Sequence, residues 1–316
     1  MEHLLRHSFF GLLHLTGGTL LDVCDILRHG SKESEAIRKL ILEVVQNEVA
    51  IQFWKHDFER YRPDEFGPPK HKLSKLLVSN TVSLMLSQPH SAFNFRRIMD
   101  DGMIFLANLS SNLGMEVRGI IGGFILATMH MTALSRSDIP REKRRPFHIY
   151  LDEAHRFVTD SLEEIIAETR KYGVSLTLAH QYLRQFDVKK VDALGSVGTT
   201  IVFNVDTRDA NYLSKDFQKK AKDKDFIDLG IGEAIVRCGT EVVKIKTLGP
   251  LKAPEKNFKA QIIAESRRKY CKPALEVQRL IQKRGNRSDQ PFTPLVPTTG
   301  ETKKGGAHEE LSYREF

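Results

Sequence analysis

The sequence predicts an α/β fold built around a mostly parallel sheet, and three observations support that class. Four short runs are apolar along their whole length, as strands buried on both faces are, at residues 102–110, 146–152, 173–181 and 198–206. Segments with helical spacing of apolar residues separate these runs, which is typical of parallel strands joined by right-handed crossovers. The second run ends in two adjacent carboxylates, Asp152 and Glu153, where parallel sheets place functional groups.

Composition sets only broad limits on the chain. Its 316 residues, 41% of them hydrophobic, suffice for one large or two small domains with a core. The formal net charge of +8 is compatible with a nucleic-acid or acidic-membrane partner, and equally with an ordinary soluble surface. Cys24, Cys238 and Cys271 lie far apart without a CxxC motif, which argues against a zinc site and favours a reducing compartment.

The apolar runs lie within residues 96–250, which we interpret as the core domain. The flanking segments differ from it in composition and in the spacing of their apolar residues. Residues 1–95 show helical spacing of apolar residues and predict a helical subdomain, interrupted by the Pro/Gly-rich stretch "RPDEFGPPKHK". Residues 251–285 predict a charged helical extension. Residues 286–316 are rich in Pro, Gly, Thr and charge, and we expect them to be disordered.

Two further elements are predicted inside the core domain. Residues 233–248 contain two alternating runs around Cys238 and Gly239, which indicate an antiparallel hairpin at the edge of the sheet. Residues 120–134 are strongly apolar but short for a membrane span, so we expect a buried core helix. The first ten residues, "MEHLLRHSFF", lack the pattern of a signal peptide.

The two adjacent carboxylates have a chemical interpretation and a plain one. Asp152 and Glu153 repel each other, so their placement costs stability unless a cation or a reaction uses it. In nucleotide hydrolysis, an Asp at a strand end holds Mg²⁺ through water, and a following Glu orients or deprotonates the attacking water. The alternative is a strand end with two solvated acids.

The segment after the acidic pair predicts a helix that carries a candidate cation. Asp160 and Glu163 can form a capping box at its start, and Gly173 is a candidate for its C-cap. Its apolar face is formed by Leu162, Ile165, Ile166 and Thr169. Arg170 lies in the last turn away from that face, either as a functional cation or as an exposed arginine favoured by the helix dipole.

The third apolar run ends at Gln181, beside the strand that carries the acidic pair. A glutamine at this place can contact a phosphate or the attacking water, and ordinary loop polarity is the alternative. The order of strand with Asp-Glu, helix with Arg, and strand with Gln is more specific than any of its parts.

This order resembles a known family. "YLDEAHRF" and "LEEIIAETRKYGVSLTLAHQ" are similar to the Walker B, arginine-finger and sensor-glutamine segments of the HerA/FtsK-type hexameric ATPases, in particular the conjugative DNA-transfer branch with TraG, TraD and VirD4. "MIFLANLSSNLG", "VGTTIVFNVDTRDANYL" and "TLLDVCDILRHGS" resemble flanking segments, so the resemblance covers residues 4–250. The "DEAH" helicases differ, because their next strand ends in Ser-Ala-Thr rather than Ala-His-Gln.

The resemblance implies a RecA-like P-loop NTPase core, truncated on its N-terminal side, with a helical insertion or cap. It implies ATP and Mg²⁺ as ligands, with Asp152 binding Mg²⁺ through water, Glu153 as the catalytic glutamate, Gln181 as the sensor and Arg170 acting on a neighbouring subunit. It further implies a homo-hexamer that moves DNA without sequence preference, with a secretion, relaxosome or nuclease partner. The expected location is the cytoplasm or the cytoplasmic face of the inner membrane, with membrane contact only through regions outside this chain.

One part of such a motor is missing from the sequence. The phosphate-binding loop GxxxxGK[ST] occurs nowhere in the 316 residues. We expect the loop upstream of Met1, as in the C-terminal part of a longer DNA-translocating ATPase, and this chain alone to be inactive. A non-hydrolysing interaction subunit of a DNA-transfer complex remains an alternative, and a metal or phosphotransfer enzyme using Asp152 and Glu153 is a third.

Overall fold

The computed structural model describes residues 1–109, 114–158 and 162–285, which divide into two compact units. The first unit contains residues 1–93 together with the described residues from 258 onwards, and the second contains the described residues between 94 and 257. The predicted disordered tail, residues 286–316, and the capping residue Asp160 lie outside the described residues.

Helices dominate the described part of the chain, and five strands are present there. The α-helices are α1 Glu2–Leu13, α2 Leu20–Ile26, α3 Lys32–Val44, α4 Glu48–Gln52, α5 Gly67–Leu77, α6 Asn80–Leu86, α7 Phe95–Asp100, α8 Met115–Ser135, α9 Leu162–Glu168, α10 Val188–Gly195, α11 Thr207–Asp216, α12 Asp223–Ile227, α13 Lys259–Tyr270 and α14 Ala274–Gly285. The strands are β1 Phe147–Leu151, β2 Val174–Leu178, β3 Thr199–Val202, β4 Glu233–Cys238 and β5 Glu241–Lys246.

The first unit is helical throughout its described residues and closes around an aromatic core. Buried rings of Phe53, Trp54, Phe58 and Phe66 form its centre. The Pro/Gly-rich stretch interrupts the α-helices only in its first part, which forms the 3₁₀ turn Pro63–Phe66, and its second part is the start of α5, with prolines in the first turn. Proline is tolerated there because the first amides of a helix have no partner within the helix.

The second unit contains two separate sheets rather than the single parallel sheet predicted. β1 and β2 pair in parallel, with Phe147 opposite Val174 and Leu151 opposite Leu178. β3, β4 and β5 form an antiparallel sheet in that order. The predicted hairpin of β4 and β5 is confirmed, but it pairs with β3 and not with the parallel strands.

Two of the four predicted parallel strands are therefore wrong. Residues 103–109 form no strand, and β3 runs antiparallel to its neighbour. Val202 of β3 packs with Phe217 and Phe226 of the α11–α12 region, in a different cluster from Ile149 of β1. An apolar run indicates that a segment is buried, but it does not show in which direction a strand runs. The sequence therefore gave no physical basis for predicting which strand these two segments would pair with.

Helix α8 packs on the parallel strands through one face only. Met129 and Ala133 are buried in the cluster that contains Ile149 and Val174, whereas Met131 on the same helix is exposed. Within the described residues, the segment Met115–Asp138 is the one helix long and apolar enough to cross a membrane by length and composition. Core helices of soluble proteins pass the same test, and 44% of its most apolar window is buried.

Candidate functional site

The acidic pair lies in a tight turn at the carboxyl edge of the β1–β2 ladder. The backbone amide of Ala179 donates to the carbonyl of Leu151 (2.8 Å), and the amide of Ala154 donates to the carbonyl of Ala179 (2.9 Å). Between these two bonds the chain reverses at Glu153, which adopts the left-handed conformation with φ 53° and ψ 44°. A side chain other than glycine is uncommon there, and such strain is frequent at functional sites.

The carboxylate of Glu153 accepts one side-chain hydrogen bond on Oε1 and has two nitrogen atoms at ion-pair distance from Oε2. Nε2 of Gln181 donates to Oε1 at 2.9 Å, which joins the ends of the two parallel strands. Nε of Arg156 lies 3.6 Å from Oε2, and Nδ1 of His155 lies 3.9 Å from the same oxygen. The side chain is therefore oriented by neighbours from both strand ends.

Asp152 lies next to this group and is exposed. One carboxylate oxygen, Oδ1, accepts the backbone amide of Glu153 at 3.0 Å, which leaves Oδ2 open to solvent. The described residues contain no group of three or more side chains arranged to hold a metal ion. A lone exposed carboxylate fits Mg²⁺, because this ion is usually held by one or two carboxylates together with water and substrate phosphates.

The segment after Gln181 is fixed by a second glutamine. Oε1 of Gln185 accepts the backbone amides of Gln181 (3.2 Å) and Tyr182 (3.1 Å). The amide of Leu183 donates to Oδ2 of Asp209 at 3.0 Å. These bonds hold the backbone from which the side chain of Gln181 extends towards Glu153.

His180 lies between Ala179 and Gln181 at the same edge. Its ring meets the ring of Phe186 edge-on at 4.9 Å, and the ring of His155 approaches the same Phe186 at 6.3 Å. Burial lowers the pKa of His180 below its usual value, although a hydrogen bond to the backbone of Tyr182 and the charge of Asp209 oppose this shift. The lowered pKa favours the neutral imidazole beside the acidic pair.

Helix α8 supports the acidic turn from behind through two glycines. A Cβ atom at Gly122 would lie 2.2 Å from Cδ1 of Phe157, and one at Gly119 would lie 3.0 Å from the carbonyl oxygen of Arg156. The absence of side chains thus lets the segment after Glu153 rest directly on the helix. This contact was not predicted from the sequence, although glycines inside an apolar helix are a signal of close approach.

Arg170 lies at the opposite, amino edge of the same ladder. It belongs to the 3₁₀ turn Thr169–Tyr172, which leads through Gly173 into β2 at the end where Phe147 pairs with Val174. Its side chain is exposed and has no hydrogen-bonding or ionic partner among the residues described. Of the four predicted site residues, the structure thus brings together Asp152, Glu153 and Gln181, and separates Arg170 from them.

One family model matches part of the chain. Residues 146–225 match the family model described as the TraM recognition site of TraD and TraG. This segment contains all four predicted site residues. No curated protein matches the chain in sequence.

The fold is similar to that of solved bacterial conjugative coupling proteins. TrwBdeltaN70 in an unbound form matches with a TM-score of 0.54 and 14% identity, covering 80% of this chain and 64% of that one. TrwB in complex with the non-hydrolysable GTP analogue GDPNP matches with the same values. TrwB in complex with ADP and Mg²⁺ matches with a TM-score of 0.53 and 14% identity, covering 79% and 64%.

The chain spans less than two thirds of the length of these solved proteins. At this identity the likeness shows the fold, which is the RecA-like α/β fold predicted from the sequence. The family match and the fold together confirm the predicted resemblance, and the chain is identified as similar to TraD, TraG and the conjugative coupling protein TrwB.

Proposed function

We propose that this chain is part of a coupling protein of conjugative DNA transfer, an ATP-driven translocase that works as a ring of six copies. The observation that carries the proposal is the hydrogen bond between Gln181 and Glu153, directly beside Asp152, at the carboxyl edge of two parallel strands. Three side chains predicted for one site meet there although they come from two separate strands.

Each side chain at this edge has a role suited to nucleotide hydrolysis. Glu153 orients the attacking water and accepts its proton, because its carboxylate is held in place by Gln181 and Arg156. Gln181 contacts the terminal phosphate or the water and reports its presence to Glu153. Asp152 holds Mg²⁺ through water, and this ion, when bound, neutralises charge on the phosphates.

In this proposal, Arg170 acts on a second copy of the chain. Five paired residues separate the two edges of the ladder, which corresponds to roughly 17 Å at about 3.3 Å per residue. Arg170 therefore does not reach the carboxylate of Glu153 in its own copy. A head-to-tail contact would place it against the nucleotide of a neighbour, and repeated contacts of this kind close into a ring.

The proposed partners follow from the same function. DNA passes through the ring and is contacted mainly at its phosphates, so binding is independent of sequence and weakens with salt. A protein of the relaxosome or of the secretion or nuclease machinery docks on the assembly. The protein works in the cytoplasm or at the cytoplasmic face of the inner membrane, with membrane contact through regions outside this chain.

The alternative is a non-hydrolysing interaction subunit of a DNA-transfer complex, which would need no phosphate-binding loop, and the motif GxxxxGK[ST] does not occur in these 316 residues. Calorimetry of the 316-residue chain with ATP and Mg²⁺ separates two cases. Absence of binding means that this chain depends on a phosphate-binding loop elsewhere or never turns over nucleotide. Micromolar binding means that a different glycine-containing segment of the chain holds the phosphates.

The proposed chemistry is tested by Glu153→Gln in the complete polypeptide. This change keeps the shape and the left-handed turn but removes the base, so ATP binding should persist while turnover falls by about 10²–10⁴-fold. Glu164→Gln, on the exposed side of α9, is the matched control, and this protein should turn over ATP normally. Normal turnover by the Glu153→Gln protein would remove Glu153 from the mechanism.

A further inference from the structure

The turn that carries Arg170 is held by two other arginines. The first is Arg136, whose side chain is completely buried. Its Nη1 donates to the carbonyl of Tyr172 at 3.0 Å, and its Nη2 donates to the carbonyl of Arg145 at 2.6 Å. Its Nε lies 3.0 Å from Oδ1 of Asp100, so the buried charge is paired.

The second arginine is Arg144, in the loop before β1. Its Nη1 donates to the carbonyl of Lys171 at 2.6 Å, and its Nε donates to the carbonyls of Ile139 (2.8 Å) and Arg136 (3.1 Å). Its guanidinium also lies over the ring of Tyr172, 5.2 Å from the ring centre. One planar cation therefore connects the loop before β1 to the turn before β2.

These contacts give partners to the last three carbonyls of the turn. The last carbonyls of a helical turn have no partner within it, and here those of Lys171 and Tyr172 bind arginines. The carbonyl of Arg170 accepts the amide of Gly173 at 3.2 Å, and the carbonyl of Gly173 accepts the amide of Phe147 at 2.9 Å. The backbone that bears Arg170 is thus fixed, while the side chain of Arg170 remains exposed.

A fixed backbone under an exposed cation fits a residue that acts on something outside its own chain. Ordering a long side chain in a binding site costs less when its backbone is already fixed. A surface turn without such a task does not require two arginines, one of them buried at the cost of desolvation.

We infer that Arg136 and Arg144 are positioning residues that hold Arg170 ready for the triphosphate of a nucleotide bound by a second copy of the chain. This inference rests on the proposed function, in which Arg170 acts between subunits. Arg136 is unsuitable for a first test, because removing a buried, paired arginine endangers folding. Arg144 is partly exposed, and Arg144→Met keeps an unbranched, flexible side chain while removing its hydrogen bonds.

The first arm of the experiment measures the order of the turn without nucleotide. Limited trypsin digestion of the complete protein is followed by mass spectrometry at the bonds after Arg170 and Lys171. Arg144→Met should raise cleavage at these two bonds several-fold over wild type. Arg141→Met, an exposed arginine three residues earlier in the same loop, is the matched control and should leave that rate unchanged.

The second arm asks on which side of the subunit contact Arg144 acts. Arg144→Met protein alone should lose most of its ATP turnover, as Arg170→Ala protein does. Mixing either protein with Glu153→Gln protein should restore part of the turnover, because some contacts then join an intact Glu153 to an intact Arg170. The double variant Arg144→Met/Arg170→Ala should be no slower than Arg170→Ala alone.

The outcomes separate this inference from the proposed function. Full turnover or unchanged cleavage in Arg144→Met protein would overturn the positioning role, and so would a loss of turnover that mixing does not restore. If Arg170→Ala protein itself turns over ATP normally, the proposed trans action fails, and the positioning role fails with it. Restoration by mixing together with faster cleavage supports both.

Discussion

The two edges of the β1–β2 ladder are built in different ways. At the carboxyl edge, a hydrogen bond joins the partly buried side chain of Glu153 to the exposed side chain of Gln181, next to a strained turn. At the amino edge, Arg170 stands on a turn whose backbone carbonyls are bound by Arg136 and Arg144. At the acidic edge the side chains can rearrange, whereas at the basic edge the backbone is held fixed.

Under the proposed function, this difference corresponds to a division of labour between copies of the chain. A group that must orient water and respond to a phosphate benefits from side chains that can rearrange, and a surface hydrogen bond of about 0.5–1.5 kcal/mol permits this. A group that must meet a ligand held by another subunit benefits from a rigid base. The predictions below test one edge against the other, starting with the largest expected effect.

The largest effect is expected at the basic edge. Arg170→Ala should lower ATP turnover by about 10³–10⁵-fold, the usual contribution of an arginine finger. Binding of ATP by the same protein should change little, because the phosphates are held mainly by the subunit that carries Asp152. Steady-state turnover and equilibrium binding measured on one preparation check both parts, and a matching loss of affinity would place Arg170 in the nucleotide-binding pocket itself.

An intermediate effect is expected behind the acidic edge. Gly122→Ala should push the ring of Phe157 away from α8 and lower the free energy of unfolding by about 1–3 kcal/mol, the usual cost of overpacking. The same shift should slow turnover, since Phe157 follows Glu153 by four residues. Urea denaturation and ATP turnover measure the two effects.

A matched glycine provides the control for this substitution. A Cβ atom at Gly195 of α10 would have its nearest neighbour at 3.8 Å, an ordinary contact. Gly195→Ala should therefore leave turnover intact and stability unchanged or improved. Equal behaviour of the two variants would show that the close contact at Gly122 has no influence on the acidic turn.

The smallest effect is expected from pH, and only at the acidic edge. Burial lowers the pKa of His180 from its usual 6.5, so its contribution to stability is present above pH 6.5 and is lost as pH falls through the lowered pKa. The arginines of the basic edge stay charged throughout this range. Stability should thus fall less steeply below pH 6.5 in His180→Gln protein than in wild type.

Urea midpoints at several pH values measure this difference. His71→Gln, at an exposed position of the first unit, controls for the loss of one imidazole and should follow the wild-type curve. Parallel curves for the His180→Gln and wild-type proteins would mean that His180 does not couple protonation to folding.

The sequence was sufficient to predict which residues meet at the acidic edge, because their positions follow from the ends of two neighbouring strands. Asp152 and Glu153 end one apolar run and Gln181 ends the next, and parallel neighbouring strands bring their carboxyl ends together. The structure confirms that the three lie side by side, while their chemical roles stay predictions. Gly173, expected as a C-cap, has the left-handed φ of 75° that this position requires.

The arginine contacts of the basic edge and the pairing of the second sheet could not be predicted from the sequence, for physical reasons. Arg136 and Arg144 bind backbone carbonyl groups 27 to 36 residues away. Every residue has such a carbonyl, so the residue types in the sequence do not show which one an arginine binds. β3 is as apolar as β1 and β2, but its direction depends on the hairpin that follows 31 residues later. For the basic edge and for β3, composition predicts which segments are buried, but it does not predict which groups or strands they pair with.

The left-handed conformation of Glu153 has a consequence for how the protein can change over generations. A non-glycine residue held in this conformation costs about 1–3 kcal/mol, so Glu153→Gly would relieve the turn while deleting its carboxylate. Selection for stability alone would therefore drive this position away from glutamate. A lineage keeps the acid only while its function outweighs that gain, which makes residue 153 a marker of whether a relative still depends on the reaction.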